Sequence, residues 1–462
     1  MAKTIKPELL GGFQDLLPKE AMAKQKMIDT IRRVFESFGF VPLETPGMEK
    51  IDVLTGGADF DKSIFVSKIV RGLEDRGDSG VSWDEDYASR FDLTVPLARV
   101  VAAYPDLPKP FKRYQIGQVW RGEKPQAGRF REFTQFDFDT IGSNSILSDV
   151  EVIQVMYETM VALGIDRFLI KFNTRKILNG LAVAVGCGDK TDEIFRIIDK
   201  MDKIGLDGVL DELRRQPDNQ FDETAIAMAE DRVAKVKSFL EIKGSTQETL
   251  DQLARFFSVH HTIGRSGLEE LQDICQILGD LGVSQKNWQV DLSVARGLGY
   301  YTGPVFETVL TDMPELGSVF SGGRFDGLTD RFIPNSNIPG VGASVGVSRL
   351  LVGMRKLGLL GDQETVTQVL VTIFDKDLRS QSMKLAQEIR RLGVNAEIYY
   401  GEDMTPRAQI AYAAKRDIPF VVILGQDEVA QNKVALKDMR QRQQEVLTRE
   451  ECFAKIVSVF SE

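Results

Sequence analysis

Val119 to Gly142 reads VWRGEKPQAGRFREFTQFDFDTIG. Three arginines, Arg121, Arg129 and Arg131, precede an alternating run. Alternation at period two is the pattern of a β-strand, so Phe133, Gln135, Asp137 and Asp139 share one face and Thr134, Phe136 and Phe138 the other. Acids and an amide on one side, with aromatics behind them, describe the floor of a polar binding site. The arginines before the strand suit phosphate, because a guanidinium fork meets phosphate oxygens in a bidentate way.

Working outward, GFVPLETPGMEK (Gly39 to Lys50) follows a stretch, 20–38, whose apolar residues fall at helical spacing. YASRFDLTVPL (87–97) reads as a strand entering a helix, and 149–163 as a further helix. ARGLGYYTGPVFE (Ala295 to Glu307) is a Gly-rich turn with two tyrosines. SGGRFDGL (Ser321 to Leu328) and GVGASVGVSRL (Gly340 to Leu350) follow. GVGASVG invites a dinucleotide-binding reading, but its spacing is GxGxxxG and no acid follows about 20 positions on in a βαβ unit. There is no Walker A lysine motif.

WRGE, a loop and RFREF resemble motif 2 of the class II aminoacyl-tRNA synthetases. GVGASVGVSRL is similar to motif 3, and GFVPLETPGMEK to motif 1. RGLGYYTG narrows the likeness to the histidyl-tRNA synthetase family, and YASRFDLTVPLAR with REFTQFDFD is closer to its eukaryote-like branch. The resemblance runs through essentially the whole chain. It implies an α+β catalytic domain at 1–361, built on a mixed, largely antiparallel class II synthetase sheet flanked by helices. A helical insertion is expected within it at 178–285, and a C-terminal α/β anticodon-binding domain at 366–462.

The resemblance also implies the site. Arg121 and Arg296 fall on the α-phosphate of ATP, Arg129 and Arg349 on the terminal phosphates, Glu123 near the adenine amino group and Phe133 on the adenine ring. Asp92, Thr94, Gln135, Asp139, Tyr300 and Tyr301 bind histidine. Plainer readings stand beside these. Arg121 and Glu123 form a charged pair at a strand edge, Phe133 is a core aromatic, the tyrosines are packing residues, and Asp92 is a helix N-cap. Two positions depart from the family pattern: Gly299, where an acid is usual, and Thr134, where an aromatic or a histidine is common.

The implied chemistry has two steps. The carboxylate of L-histidine attacks the α-phosphate to give histidyl-adenylate and pyrophosphate, and the 3′ end of tRNA(His) then takes the histidyl group. Arginines would neutralise the phosphorus centre, with Mg2+ borne by ATP and no protein metal site. A site that hydrogen-bonds the imidazole needs no editing domain. A homodimer is expected from motif 1. Three other readings compete: a non-catalytic histidine-sensing regulatory paralogue, a related synthetase for proline, threonine or glycine, and a nucleic-acid-binding module without catalysis. The four arginines argue against the first and third, and RGLGYYTG against the second.

Bulk properties fit this outline. At 462 residues the chain is too long for one core. The net charge of −10 argues against non-specific nucleic-acid binding, although local basic patches are compatible with it. From residue 363 onward there are 14 Lys and Arg against 15 Asp and Glu, so the repulsive charge is concentrated earlier in the chain. The cysteines, Cys187, Cys275 and Cys452, are odd in number and widely spaced, which fits reduced thiols. The only histidines, His260 and His261, sit in a helical, motif-poor stretch and make a poor start for His-based catalysis. With no long apolar run and no apolar N-terminal stretch, no membrane association and a cytoplasmic location are expected. After residue 362, strands and helices alternate, which predicts an α/β layer with parallel pairing.

Overall fold

In a computed structural model of the chain, the quoted stretch lies at the heart of a mixed eight-stranded sheet. The structure describes residues 5–56, 63–67, 87–125, 128–198, 200–217, 225–257, 262–294, 301–361 and 364–460. The chain divides into two units. The first comprises Met1–Asp15 and Lys24–Leu359, the second Leu16–Ala23 and Leu360–Glu462.

The strands of the first unit are β1 (Val41–Pro42), β2 (Met48–Lys50), β3 (Val66–Ser67), β4 (Tyr87–Ser89), β5 (Phe111–Trp120), β6 (Glu132–Ile141), β7 (Phe168–Thr174), β8 (Trp288–Val290), β9 (Pro304–Leu310), β10 (Ser318–Arg324) and β11 (Gly340–Gly346). The large sheet has the order β1-β5-β6-β11-β10-β9-β7-β8, and β2, β4 and β3 form a small one. Only the outer pairs β1–β5 and β7–β8 of the large sheet are parallel. The sheet is therefore largely antiparallel, as expected.

The two faces of β6 separate as its alternation predicts. On one side Phe136 and Phe138 are fully buried. Phe35, from the helix Pro18–Ser37, packs on them with ring centroids 4.8 and 4.7 Å away. Phe40 and Phe320 close on Phe138 at 5.1 and 5.9 Å. Edge-to-face aromatic clusters of this kind fix a strand's orientation, because a one-residue slip would send every ring to the polar side. Thr134 lies on this packed face too, its hydroxyl accepting from Lys24 Nζ and donating to Gln118. Its departure from the family pattern is thus turned away from the opposite, polar face.

Between β7 and β8 the described elements are all helical: Arg175–Ala184, Thr191–Ile198, Met201–Arg214, Glu230–Leu240, Thr246–Phe256 and Thr262–Asp280, with two short 3-10 turns. A parallel pair needs such a crossover.

The second unit holds β12 (Val369–Val371), β13 (Ala396–Ile398), β14 (Phe420–Ile423), β15 (Lys433–Asp438) and β16 (Gln443–Thr448), in the order β13-β12-β14-β15-β16. β12 and most of β14 are buried on both faces, which accounts for their unbroken apolar sequences. The expectation of parallel pairing holds for β12 with β13 and β14. It fails for β14–β15 and β15–β16, which are antiparallel. No helix separates β15 from β16, so the chain returns by a short turn and must reverse direction. The strand Gln443–Thr448 went unforeseen because its first four residues are exposed and give no apolar alternation.

Candidate functional site

The polar face of β6 opens onto a pocket lined by Asp92, Thr94, Arg121, Gln135, Asp137, Asp139, Tyr301, Ser321, Gly322, Phe325, Gly342, Ala343 and Ser344. Thr94 begins the helix Thr94–Ala103. Asp92 stands one residue before the helix's N-cap position, Leu93, rather than at it. Its Oδ1 accepts from Val95 N at 3.1 Å, as a cap does, while Oδ2 is buried without a protein partner. Gln135 donates from Nε2 to Ser344 Oγ at 2.7 Å and keeps Oε1 unpartnered.

Beneath these side chains lies Arg113, fully buried on β5. Its Nη2 stands 2.7 Å from Asp139 Oδ2 and also donates to the Leu93 carbonyl. Nε and Nη1 have no protein partner. Sequence reasoning missed Arg113. FKRYQIG carries no local signal for it, because its role follows from standing opposite Asp139 across β5 and β6.

Burial pushes the Asp139 carboxyl above its ordinary range, against the opposing pull of Arg113. Burial does the same to Asp137, which is raised to about 7. Buried polar atoms usually find partners, so the run of unpartnered atoms on Asp92, Gln135 and Asp137 marks a place built to receive a polar ligand.

Two glycines in the lining let neighbouring strands pack closely. A Cβ at Gly342 would lie 2.2 Å from Asp139 Oδ1, and one at Gly322 would lie 2.1 Å from the Gly342 carbonyl oxygen. The glycines of GVGASVG therefore belong to a strand passing close to its neighbours. Sequence reading did not place β10 and β11 as strands, because Gly and Ser dilute the alternation there.

A second cleft adjoins the first through Arg121, Gln135, Ser321 and Ser344. It is lined further by Glu123, Gly128, Arg129, Phe130, Phe133, Ser318, Val319, Gly346, Ser348 and Arg349. Arg121 donates from Nε to the Phe91 carbonyl at 3.0 Å, and its guanidinium lies 5.1 Å from the Phe133 ring centre. Arg349 begins near the start of the helix Val347–Lys356 and donates to the Ser318 carbonyl. Burial, followed by the nearby charges of Arg129 and Arg121, lowers the Arg349 pKa, and Glu123 and Glu307 only partly offset them. Three mutually repelling arginines in one cleft are suited to a polyanion.

The structure thus brings together Asp92, Thr94, Gln135, Asp139 and Tyr301 in one pocket, and Glu123, Arg129, Phe133 and Arg349 in the next, with Arg121 common to both. Arg296 and Tyr300 lie outside the described residues, as do Gly299, His260 and His261. Among the described residues no group of three or more His, Cys, Asp or Glu could hold a metal ion, and no helix is long and apolar enough to cross a membrane.

Comparison with known proteins gives two family matches. Residues 12–350 match the family model described as histidyl-tRNA synthetase, and residues 368–458 the anticodon binding domain. The chain is 41% identical over 458 residues to a histidine–tRNA ligase of Wolinella succinogenes, covering 98% of each chain. It is 40% identical over 439 residues to one from Helicobacter pylori, covering 94% of each. Its structure is similar to a histidyl-tRNA synthetase from Nostoc sp. PCC 7120, with a TM-score of 0.83, 33% identity and coverage of 98% and 99%.

Proposed function

Since the chain belongs to the histidyl-tRNA synthetase family, we propose that it is a histidine–tRNA ligase that makes histidyl-adenylate in the two adjoining pockets and charges tRNA(His). The observation that carries this reading is the set of buried, unpartnered oxygens on Asp92, Gln135 and Asp137, directly beside a cleft of three arginines. An amino acid with an ammonium and a nitrogenous ring fits the first set, and a triphosphate fits the second.

In this reading Asp92 and Thr94 take the α-ammonium, and Gln135 helps to fix it. Asp139 accepts an imidazole N–H, held in place by Arg113, with Tyr301 and Tyr300 on the ring. Arg121 spans both pockets, so it contacts the substrate carboxylate and the α-phosphate together. The carboxylate attacks phosphorus in line, pyrophosphate leaves, and Arg121 and Arg296 offset the charge that develops. No protein nucleophile takes part. Catalysis is positioning and electrostatic stabilisation. Phe133 supplies an aromatic face for adenine and Glu123 an acceptor for its amino group, while Arg129 and Arg349 hold the terminal phosphates.

Mg2+ would arrive on the triphosphate and share its charge, and Glu123 and Glu307, both within electrostatic reach of Arg349, would be acids available to it. Residues 1–361 form the catalytic domain, 178–285 its helical insertion and 366–462 the part that reads the anticodon. The protein works in the cytoplasm as a homodimer paired through the motif 1 segment 39–50.

ATP–pyrophosphate exchange with each of the twenty amino acids tests the reading. Exchange with histidine alone is expected, and its absence with histidine overturns the reading. The regulatory-paralogue alternative is disfavoured because the anticodon-binding match at 368–458 and the arginine cleft are both retained.

A further inference from the structure

Asp137 lies between Gln135 and Asp139 on the pocket face of β6, and the sequence motifs give it no role. Its surroundings differ from those of Asp139 in one respect that matters. Across β5, Arg113 opposes Asp139, whereas Gln115 opposes Asp137. The guanidinium therefore goes to Asp139, at 2.7 Å. Gln115 commits its amide to Thr45, donating from Nε2 at 2.9 Å. Across β11, Gly342 opposes Asp139 and Ser344 opposes Asp137. The Ser344 hydroxyl accepts from Gln135, which leaves its own proton for the Asp137 carboxyl.

Asp137 Oδ1 meets no protein partner, and the residue is 2% exposed. Among the described residues no cation lies within ion-pair distance of it. The charged and titratable groups that face it are Arg113 on β5, Asp139 on β6, Asp92, Arg90 behind β5, and Arg121 and Tyr301 in the pocket lining. β10 and β11 contribute only serine, glycine and alanine to the lining.

We propose that Asp137 is a specificity residue for the ring: its carboxyl offers an O–H to the unprotonated imidazole nitrogen, while Asp139, ionised beside Arg113, accepts from the N–H of the other nitrogen. This rests on histidine as the occupant of the pocket. A neutral imidazole has one donor and one acceptor, so two ionised carboxylates would leave its lone pair facing negative charge. A carboxylate paired with a carboxylic acid complements it on both sides. Rings and amides without that donor–acceptor arrangement leave one buried acid unsatisfied, and buried polar groups left unpaired discriminate strongly.

The proposal has a proton count attached. The complex holds one proton between Asp137 and the ring, whichever of the two carries it. Free histidine loses its ring proton near pH 6.5, at about the ordinary value. Burial raises the free Asp137 carboxyl to about 7. At pH 8 both are mostly deprotonated, so binding must take up close to one proton.

The test is calorimetric titration of the full-length protein with L-histidine at pH 8, in buffers of different ionisation enthalpy, for the wild type and Asp137→Asn. An amide supplies a permanent N–H donor and removes the titration. Uptake of about one proton by the wild type and almost none by Asp137→Asn is expected. The wild-type Kd should also rise up to about tenfold from pH 7.5 to 8.5 beyond any rise in the variant. Histidine binding by the wild type without proton uptake overturns the role of Asp137 and leaves the histidine pocket standing, as does equal uptake by the variant. Absence of histidine binding to the wild type overturns the pocket itself. If Asp137→Asn does not fold, the wild-type proton count and Kd slope decide alone.

Discussion

Arg113 and Asp139 face each other in register across β5 and β6, 2.7 Å apart and both buried. Asp139 lines the pocket, and Arg113 lies buried beneath it. Arg113 opposes the rise that burial imposes on the Asp139 carboxyl, and its remaining guanidinium nitrogens, Nε and Nη1, have no other protein partner. Such a pair is costly to break from one side, because the surviving charge stays buried alone.

Replacing Arg113 by Met should therefore destabilise the fold by about 3–5 kcal/mol. The double variant Arg113→Met, Asp139→Leu should regain a large part of that loss, since both charges leave together. It should not regain histidine binding. Denaturant unfolding of the wild type, both single variants and the double variant measures the coupling. Additive losses would mean that the two groups do not sense each other.

Asp139→Ala tested by exchange kinetics should raise the KM for histidine and leave the KM for ATP nearly unchanged. The residue lines the first pocket and not the arginine cleft. A defect confined to ATP would assign Asp139 to the wrong substrate.

Asp137 gives a stability signature as well. Its folded-state carboxyl is raised to about 7 by burial, with Arg113 opposing. The folded protein thus holds this proton more tightly than the unfolded chain, whose carboxyl titrates near 3.8. Stability from this group is complete below pH 4 and is lost as pH rises towards 7. Asp137→Asn does not titrate. The difference in Tm, variant minus wild type, should grow from pH 4 to pH 7 and then level off. A difference independent of pH would show that Asp137 does not change charge in that range.

Much of this site could be read from the chain before its structure. FTQFDFD alternates so strictly that both faces of β6 follow from it, and the rings of Phe136 and Phe138 pack where that alternation sends them. The arginines were legible because charged residues beside a polar strand serve few other ends. Arg113 was not, since its importance lies in cross-strand register, which no local pattern encodes. The strands β10 and β11 escaped for a related reason. Their glycines are set by how closely Asp139 and the Gly342 carbonyl approach, a tertiary condition that dilutes the usual β signal. β15 and β16 show the limit of counting alternation: β15 was legible as a strand and β16 was not, and their antiparallel direction depended on how short the connecting turn was.

Gly342 tests the close packing directly. An added methyl would meet Asp139 Oδ1 at 2.2 Å and the Phe138 carbonyl oxygen at 2.4 Å. Neither can move freely, one held by Arg113 and the other by the strand. Gly342→Ala should cost about 1–3 kcal/mol of stability by overpacking. In exchange assays it should raise the KM for histidine more than that for ATP. A fully active, equally stable variant would mean that the pocket floor is less tightly packed than these distances state.

Arg121 is the sharpest test of the chemistry, because it is the charged residue common to both pockets. Its Nε is anchored on the Phe91 carbonyl at 3.0 Å, so the terminal nitrogens stay available to the reacting groups. A fixed donor of this kind is most valuable where charge builds up during reaction, and less so in ground-state binding. Arg121→Ala should lower the kcat of ATP–pyrophosphate exchange by about a hundredfold or more, with smaller changes in either KM. Arg349→Ala, remote from the first pocket, should act mainly on the KM for ATP. The order would be inverted if Arg121 only helped to bind ATP and Arg349 acted on the reacting phosphorus. Arg296→Ala belongs with Arg121 in this scheme, and a loss of about the same size is expected for it. An unchanged kcat in that variant would remove Arg296 from the α-phosphate and leave Arg121 to act there without it.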